Sequence, residues 1–98
     1  MEALAKLQRW YESQCNGEWE HHHGISIESC DNPGWWVKIS LDGTPLELHK
    51  FEPITHGALG DSSSGWLRCY IEDGKWHGAS NQLPPIIEAF LRWVDSGD

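Results

Sequence analysis

The amino-acid sequence predicts an α+β fold: a two-layer domain in which an N-terminal and a C-terminal helix cover an antiparallel meander of about five strands. Apolar residues recur at helical spacing near both ends of the chain and alternate with polar residues between them. Turn-forming pairs, Asp42-Gly43 and Asp73-Gly74, separate the alternating runs. With 98 residues, 39% of them hydrophobic and 22% charged, the chain suffices for one core. We therefore expect a single domain, 1–98.

The two predicted helices are amphipathic. The first covers about residues 2–15, because Leu4, Leu7 and Tyr11 share one face, and Asn16-Gly17 provides a C-terminal cap. The second lies within residues 83–97 and stops at a glycine. Its apolar positions follow an i, i+3, i+4, i+7 pattern: Ile87, Phe90, Leu91 and Val94. Helical spacing also places Trp10 of the first helix and Trp93 of the second in or beside the core.

The predicted strands show an apolar period of two. They are the runs GISIESC, WWVKISL, PLELHKF, WLRCYIED and KWHGAS. Asn32-Pro33-Gly34 is typical of a turn before the second run, and Asp42-Gly43 favours a type I′ hairpin into the third. Residues 52–65 have no pattern and are expected to form a long loop.

One face of this sheet has no helix left to cover it. Strand alternation places aromatic and charged side chains there: Trp36, Lys38, Glu47, His49, Trp66, Arg68 and Tyr70. Exposed Trp and Tyr among charges are typical of a protein-binding hot spot. The alternative is that loop 52–65 folds across this face and buries its aromatic residues. Trp19 and Trp76 are placed near turns.

The charge of the chain points to a basic protein partner. Fifteen acidic and seven basic residues give a formal charge of −8, which disfavours nucleic acid and anionic membranes. Opposite charges speed encounter with a basic partner. No Lys or Arg occurs between Arg9 and Lys38, a segment that contains five acidic residues: Glu12, Glu18, Glu20, Glu28 and Asp31.

The cysteines and the N-terminus favour a cytoplasmic protein. Cys15, Cys30 and Cys69 show no CxxC spacing, which is typical of reduced thiols. The first fifteen residues lack the cationic start and apolar run of a signal peptide, and no apolar run approaches the length of a membrane span.

The histidine run raises the possibility of a metal site. His21 and His23 form an H-x-H pair that can chelate zinc or copper, with His77 as a further candidate ligand. A metal-binding or small enzymatic domain centred on these three residues is therefore one alternative. However, the sequence contains no nucleophile motif, phosphate loop or HExxH. We therefore predict no catalytic residue and no cofactor.

The sequence resembles a known family across most of its length. LQRWYESQCNGEWEHHHGISIESCDNPGWWVKISL, Leu7 to Leu41, is similar to the immunity protein 53 family, in which a W-E-H element precedes D-N-P-G-W at this spacing. Trp66 and the closing F-L-x-W helix also match. The chain departs from the family pattern at His22 and His23, where other residues are more usual, and at Ser29, where threonine is expected.

The resemblance implies a small cytoplasmic protein of a bacterial polymorphic-toxin locus, which binds the neighbouring toxin domain and protects the producing cell. A charge of −8 favours a nuclease target with a basic cleft. A scaffold or regulatory module with a different partner is a further alternative, and the oligomeric state stays open. The residues predicted to bind the partner are Glu18, Glu20, His22, His23, Glu28, Asp31, Trp36, Trp66, Arg68 and Tyr70.

Overall fold

The computed structural model describes residues 2–30, 34–57 and 65–96 and confirms the predicted α+β fold. The helices are α1 (Glu2–Gln14), the short α2 (Trp19–His22) and α3 (Leu83–Ser96). The strands are β1 (Ile25–Cys30), β2 (Gly34–Ser40), β3 (Ile54–His56), β4 (Leu67–Glu72) and β5 (Lys75–Ser80). A 3₁₀ helix, Pro45–Leu48, lies between β2 and β3.

The five strands form one antiparallel sheet in the order β1-β2-β5-β4-β3. The sheet therefore differs from a sequential meander, because β2 pairs with β5 and the chain crosses to the far edge before β3. The β4–β5 hairpin has the predicted turn: Asp73 and Gly74 both have positive φ, 54° and 74°, as a two-residue type I′ loop requires.

The prediction of a third strand at PLELHKF is wrong. Its first half is the 3₁₀ helix, where Pro45 suits the first turn and the Thr44 hydroxyl accepts a hydrogen bond from the Leu46 N–H at 3.2 Å. Of Asp42 and Gly43 only the glycine has positive φ, so no type I′ hairpin forms. Consequently Leu48, which alternation placed beside Leu46 in the core, is 92% exposed.

The third strand of the sheet instead lies inside the predicted loop 52–65. β3 pairs with β4 over three residues, with Ile54 opposite Cys69. Residues 58–64 of that loop, and Asn32 and Pro33 of the predicted turn, lie outside the described residues.

The core lies between the sheet and α3. Gly78 of β5 permits this contact, because a Cβ at that position would lie 2.5 Å from Cγ2 of Ile86 on α3. Trp76 lies two residues after the Asp73-Gly74 turn, as predicted, and is fully buried in β5. Its ring packs edge-on against Phe90, with the ring centroids 5.2 Å apart. Trp10 packs on the same Phe90 ring at 5.0 Å, which confirms its predicted position beside the core.

Candidate functional site

The face of the sheet opposite α3 carries the polar and aromatic positions of the strands. A side chain at Gly78 would face Ile86 on α3. The side chains of its strand neighbours, His77 and Ala79, therefore face the opposite side of the sheet. The strand registers extend this assignment to the residues opposite them. We call this surface the open face and define it by Ser26, Glu28, Trp36, Lys38, Arg68, Tyr70, Lys75, His77 and Ala79.

The centre of the open face is a row of stacked rings. His77 lies parallel to Tyr70, with ring centroids 4.9 Å apart and an interplanar angle of 4°, and it lies 6.0 Å from the Trp36 ring. The Trp36 ring remains 36% exposed. Lys38 places its Nζ 4.6 Å from the centroid of this ring and 3.7 Å from Oε1 of Glu28. The rings and the ion pair hold one another in place and leave an aromatic surface facing solvent.

Two hollows extend the open face beyond this row. One, of about 500 Å³, lies beside β3 and is lined by Trp36, Arg68, Tyr70, Ala79, Pro53 and Thr55 among others. The other, of about 440 Å³, lies at the opposite end and includes His21, His22, His23, Ser26, Lys38 and Lys75. The structure therefore brings the predicted binding residues His22 and His23 to the end of the same surface as Trp36 and Tyr70.

The Arg68 side chain is held by backbone groups. Its guanidinium donates hydrogen bonds at 2.8 Å to the carbonyl oxygens of His56 and Gly57, and at 3.1 Å to that of Leu67. The side chain thus ties the end of β3 to β4 and forms one wall of the neighbouring hollow.

Trp66 differs from its expected exposure. It precedes β4 and is only 6% exposed. A Cβ built on Gly34 would lie 3.4 Å from Cζ2 of the indole, so the ring lies over the start of β2. Gly34 is on the same side of β2 as Trp36, which means that Trp66 takes the predicted face but is buried against the backbone there.

Glu20 has a structural role next to the histidine run. Its carboxylate accepts hydrogen bonds from the N–H groups of Asn16 and Gly17, at 3.0 and 2.9 Å. The Asn16 side chain in turn accepts from the N–H groups of Glu18 and Trp19, at 3.0 and 2.9 Å. Hydrogen bonds from backbone N–H groups, first its own and then those of Asn16 and Gly17, lower the pKa of Glu20. This reciprocal arrangement fixes the turn between α1 and α2.

The other predicted acidic residues lie at the surface. Glu18 and Glu28 are exposed, and only Glu28 is on the open face. Asp31 lies outside the described residues. The open face also carries Lys38, Arg68 and Lys75, so the acidic residues flank the aromatic row instead of surrounding it.

The structure does not assemble the alternative metal site. Among residues 2–30, 34–57 and 65–96, no three His, Cys, Asp or Glu side chains are grouped so that they could hold a metal ion. His23 lies beside the Trp19 ring, at 5.9 Å between ring centroids, whereas His77 is stacked on Tyr70. His21 and His23 are close in sequence, but His77 lies on β5, where its ring stacks on Tyr70 and does not join them.

The buried thiol of β4 is not activated. Cys69 is 1% exposed, and burial raises its pKa to about 12 although Arg92 opposes the shift. In the described part of the chain, no helix has the length and apolar character needed to cross a bilayer.

Sequence reasoning missed a second apolar surface, at the edge of the sheet. A groove of about 560 Å³ runs between α1 and β1, lined by Leu4, Leu7, Gln8, Tyr11, His23, Gly24, Ile25 and Ile27. Leu4 and Ile27 belong to the apolar sides of their elements by periodicity, yet both are exposed. Local alternation carries no signal for this groove, because it exists only where β1 is the edge strand.

Comparison with known proteins agrees with the resemblance noted from the motifs. A sequence model described as immunity protein 53 matches residues 4–95, which include every described element of the fold except the first two residues of α1 and the last residue of α3. Searches of curated proteins and of solved structures gave no significant match. Because the match spans nearly the whole chain, the protein belongs to the immunity protein 53 family.

Proposed function

We propose that this immunity protein neutralises its cognate toxin by stoichiometric binding, with the open face and the flanking acidic residues covering a basic substrate cleft on the toxin domain. Family membership supports the antitoxin role and the binding of a toxin protein. The observation that carries the proposed binding mode is the partly exposed row of Trp36, His77 and Tyr70 on the one sheet face that α3 leaves uncovered.

The aromatic row has the properties of a binding hot spot. Trp and Tyr contribute large contact areas at a low cost in conformational entropy, and hot spots are enriched in them. The Trp36 ring is already held by His77 and Lys38, so little side-chain freedom is lost when a partner covers it.

The charge of the chain supports a nuclease as the target. A formal charge of −8 attracts a protein with a basic cleft, and nucleases need such clefts to bind phosphates. Glu18 and Glu28 are both exposed and lie in the segment without bases, and Glu28 is on the open face. Charge then accelerates encounter, while buried aromatic contacts slow dissociation. Such an inhibitor would act in the cytoplasm of the producing cell, where it would meet its toxin.

Co-expression tests the proposal directly. The chain is produced together with the C-terminal domain of the protein encoded immediately upstream, and growth rescue is scored before a one-to-one complex is sought by gel filtration. Rescue with a complex is the expected result, and the activity of the toxin then identifies its substrate. Rescue without a complex would contradict stoichiometric binding and favour an enzymatic or metal-dependent role instead.

The electrostatic part of the proposal has its own test. Glu18→Gln combined with Glu28→Gln should lower the association rate and weaken its dependence on salt, because both carboxylates lie in the proposed path of the toxin. The control is Glu88→Gln combined with Asp95→Asn, which removes the same charge beside the groove between α1 and α3. Equal effects of the two pairs would mean that only net charge matters and that these two acids do not mark the interface. Glu20 is left intact because it holds the α1–α2 turn.

A further inference from the structure

Among the residues that the structure describes, the outward backbone groups of β1 have no hydrogen-bond partner, and their positions follow from the ladder. The Ser40 N–H donates to the Gly24 carbonyl at 3.0 Å, which makes this pair a hydrogen-bonded one. Antiparallel ladders alternate, so Ser26 and Glu28 direct their backbone groups to β2. The intervening Ile25, Ile27 and Ser29 therefore direct their N–H and C=O groups away from the sheet.

Three of the usual protections against strand pairing are absent from β1. β1 is the first strand in the sheet order, and no described strand lies on its outer side. Its six residues contain no Lys and no Pro, and its register with β2 runs through six consecutive pairs without a bulge. Edge strands normally carry one of these devices, because bare edges attract further strands.

The two sides of the edge differ in character. On the helix side lies the groove of about 560 Å³ between α1 and β1, where Leu4 and Ile27 are 45% and 39% exposed. On the open face, the β1 residues are Ser26, Glu28 and Cys30, and Glu28 is exposed. A strand laid along β1 would alternate its side chains between the apolar groove and the open-face side, where Glu28 is the one charged residue of β1.

We propose that β1 accepts an extended segment of the toxin as a sixth strand, and that this segment alternates apolar with basic residues. The apolar side chains enter the groove beside Leu4 and Ile27, and the basic side chains meet Glu28. Main-chain hydrogen bonds to Ile25, Ile27 and Ser29 supply the affinity that is common to strand addition. A second copy of this chain fits less well, since it brings a further charge of −8 to the same edge. This inference rests on the proposed function, because it names the contact through which the same toxin is held.

Amide hydrogen exchange on the isotopically labelled protein tests the strand addition residue by residue. The protein is measured alone and in complex with the toxin domain encoded immediately upstream. We expect the Ile25, Ile27 and Ser29 amides to exchange at least about tenfold more slowly in the complex, because each gains an acceptor. The Ser26 and Glu28 amides serve as internal controls, since they already bond to β2 and should change much less.

A pair of substitutions at one position provides the affinity test. Ser29→Pro removes an outward N–H and leaves the ladder to β2 intact, as proline is tolerated on edge strands in this orientation. It should weaken the complex about tenfold or more, whereas Ser29→Thr keeps the N–H and should stay within about twofold. Circular dichroism verifies that both variants fold. If the proline variant does not fold, the exchange experiment on the unaltered chain still tests the strand addition.

The outcomes separate the two proposals. A one-to-one complex in which the three outward amides stay unprotected would overturn strand addition and leave toxin binding intact. Absence of any complex would overturn both. Protection of these amides in the toxin-free protein, together with a dimer mass, would show that a second copy occupies the edge and would overturn the assignment to the toxin.

Discussion

The two faces of the sheet are built from the same strands and differ in what each set of side chains does. On the face covered by α3, Val37, Ile39, Trp76 and Cys69 are almost completely buried. On the open face, Trp36, Lys38, Tyr70 and His77 remain partly accessible and contact one another across strands. Period-two alternation therefore places the core residues and the residues of the proposed binding surface on opposite faces of the same strands.

The difference also shows why aromatic content alone does not locate a binding surface. Trp76 and Trp36 lie on neighbouring strands, yet one is at the centre of the core and the other is exposed to solvent. Adding the edge of β1 gives a third environment, where apolar side chains and unpaired backbone groups lie next to each other.

The largest expected effect separates the two tryptophans by stability. Trp76→Ala should lower the free energy of unfolding by about 3–5 kcal/mol, because it leaves a large cavity between Phe51 and Phe90. Trp36→Ala should cost about 1 kcal/mol, since the ring is partly solvated. Urea unfolding of both variants measures the contrast. Equal losses would mean that the open face contributes to the core.

The second effect tests the close approach of α3 to the sheet. Gly78→Ala should destabilise by about 1–3 kcal/mol, because the added methyl group meets Ile86 and the Trp76 ring at 2.5–2.6 Å. Gly24→Ala is the matched control, since a Cβ there has nothing within 4 Å. Thermal unfolding of the two variants should show a lower melting temperature for Gly78→Ala only. A stable Gly78→Ala protein would show that α3 can move outward at little cost.

The third effect distinguishes the faces by binding. Trp36→Ala should weaken the toxin complex about tenfold or more, as expected for a partly buried aromatic anchor. Ile71→Ala removes a side chain of similar exposure, 39%, from the other face and from a strand far from β1, and should leave affinity unchanged. Isothermal titration calorimetry with purified toxin domain measures both. A larger loss for Ile71→Ala would place the interface on the helix side.

The smallest effect concerns the pH dependence of the α1–α2 turn. The folded-state pKa of Glu20 is lowered, so its contribution to stability is present above the unfolded pKa of about 4.3 and is lost as pH falls through the lower folded value. Glu20→Gln should therefore be slightly less stable than the parent at pH 7 and approach it in acid. Urea midpoints between pH 7 and pH 3 follow the variant and the parent. A Glu20→Gln deficit that is constant across this range would argue against the carboxylate's role.

Much of the architecture could be predicted from local pattern. The runs that became β1, β2, β4 and β5 alternate clearly, and the two terminal helices show an apolar stripe. The Asp73-Gly74 turn follows from residues that tolerate positive φ. The open-face positions of Trp36, Arg68 and Tyr70 follow from parity alone once the strands are known.

Where the strand predictions failed, either a local turn signal or a tertiary contact outweighed the apolar alternation. PLEL alternates like a strand, but Pro45 and the Thr44 hydroxyl favour a 3₁₀ turn that buries Leu46 and releases Leu48 to solvent. The pattern-poor Ile54–His56 became a strand because β4 offered a free edge and Arg68 tied its carbonyl groups.

The sequence by itself determined the helical ends, the period of most strands, the acidic charge and the family, since each depends on neighbouring residues or on a motif of fixed spacing. Only the tertiary structure decided that β2 pairs with β5, that β1 is an edge beside an apolar groove, and that Trp66 is buried while Trp36 is exposed. Those features depend on which distant segments pair, and long-range pairing is set by the packing of the whole core.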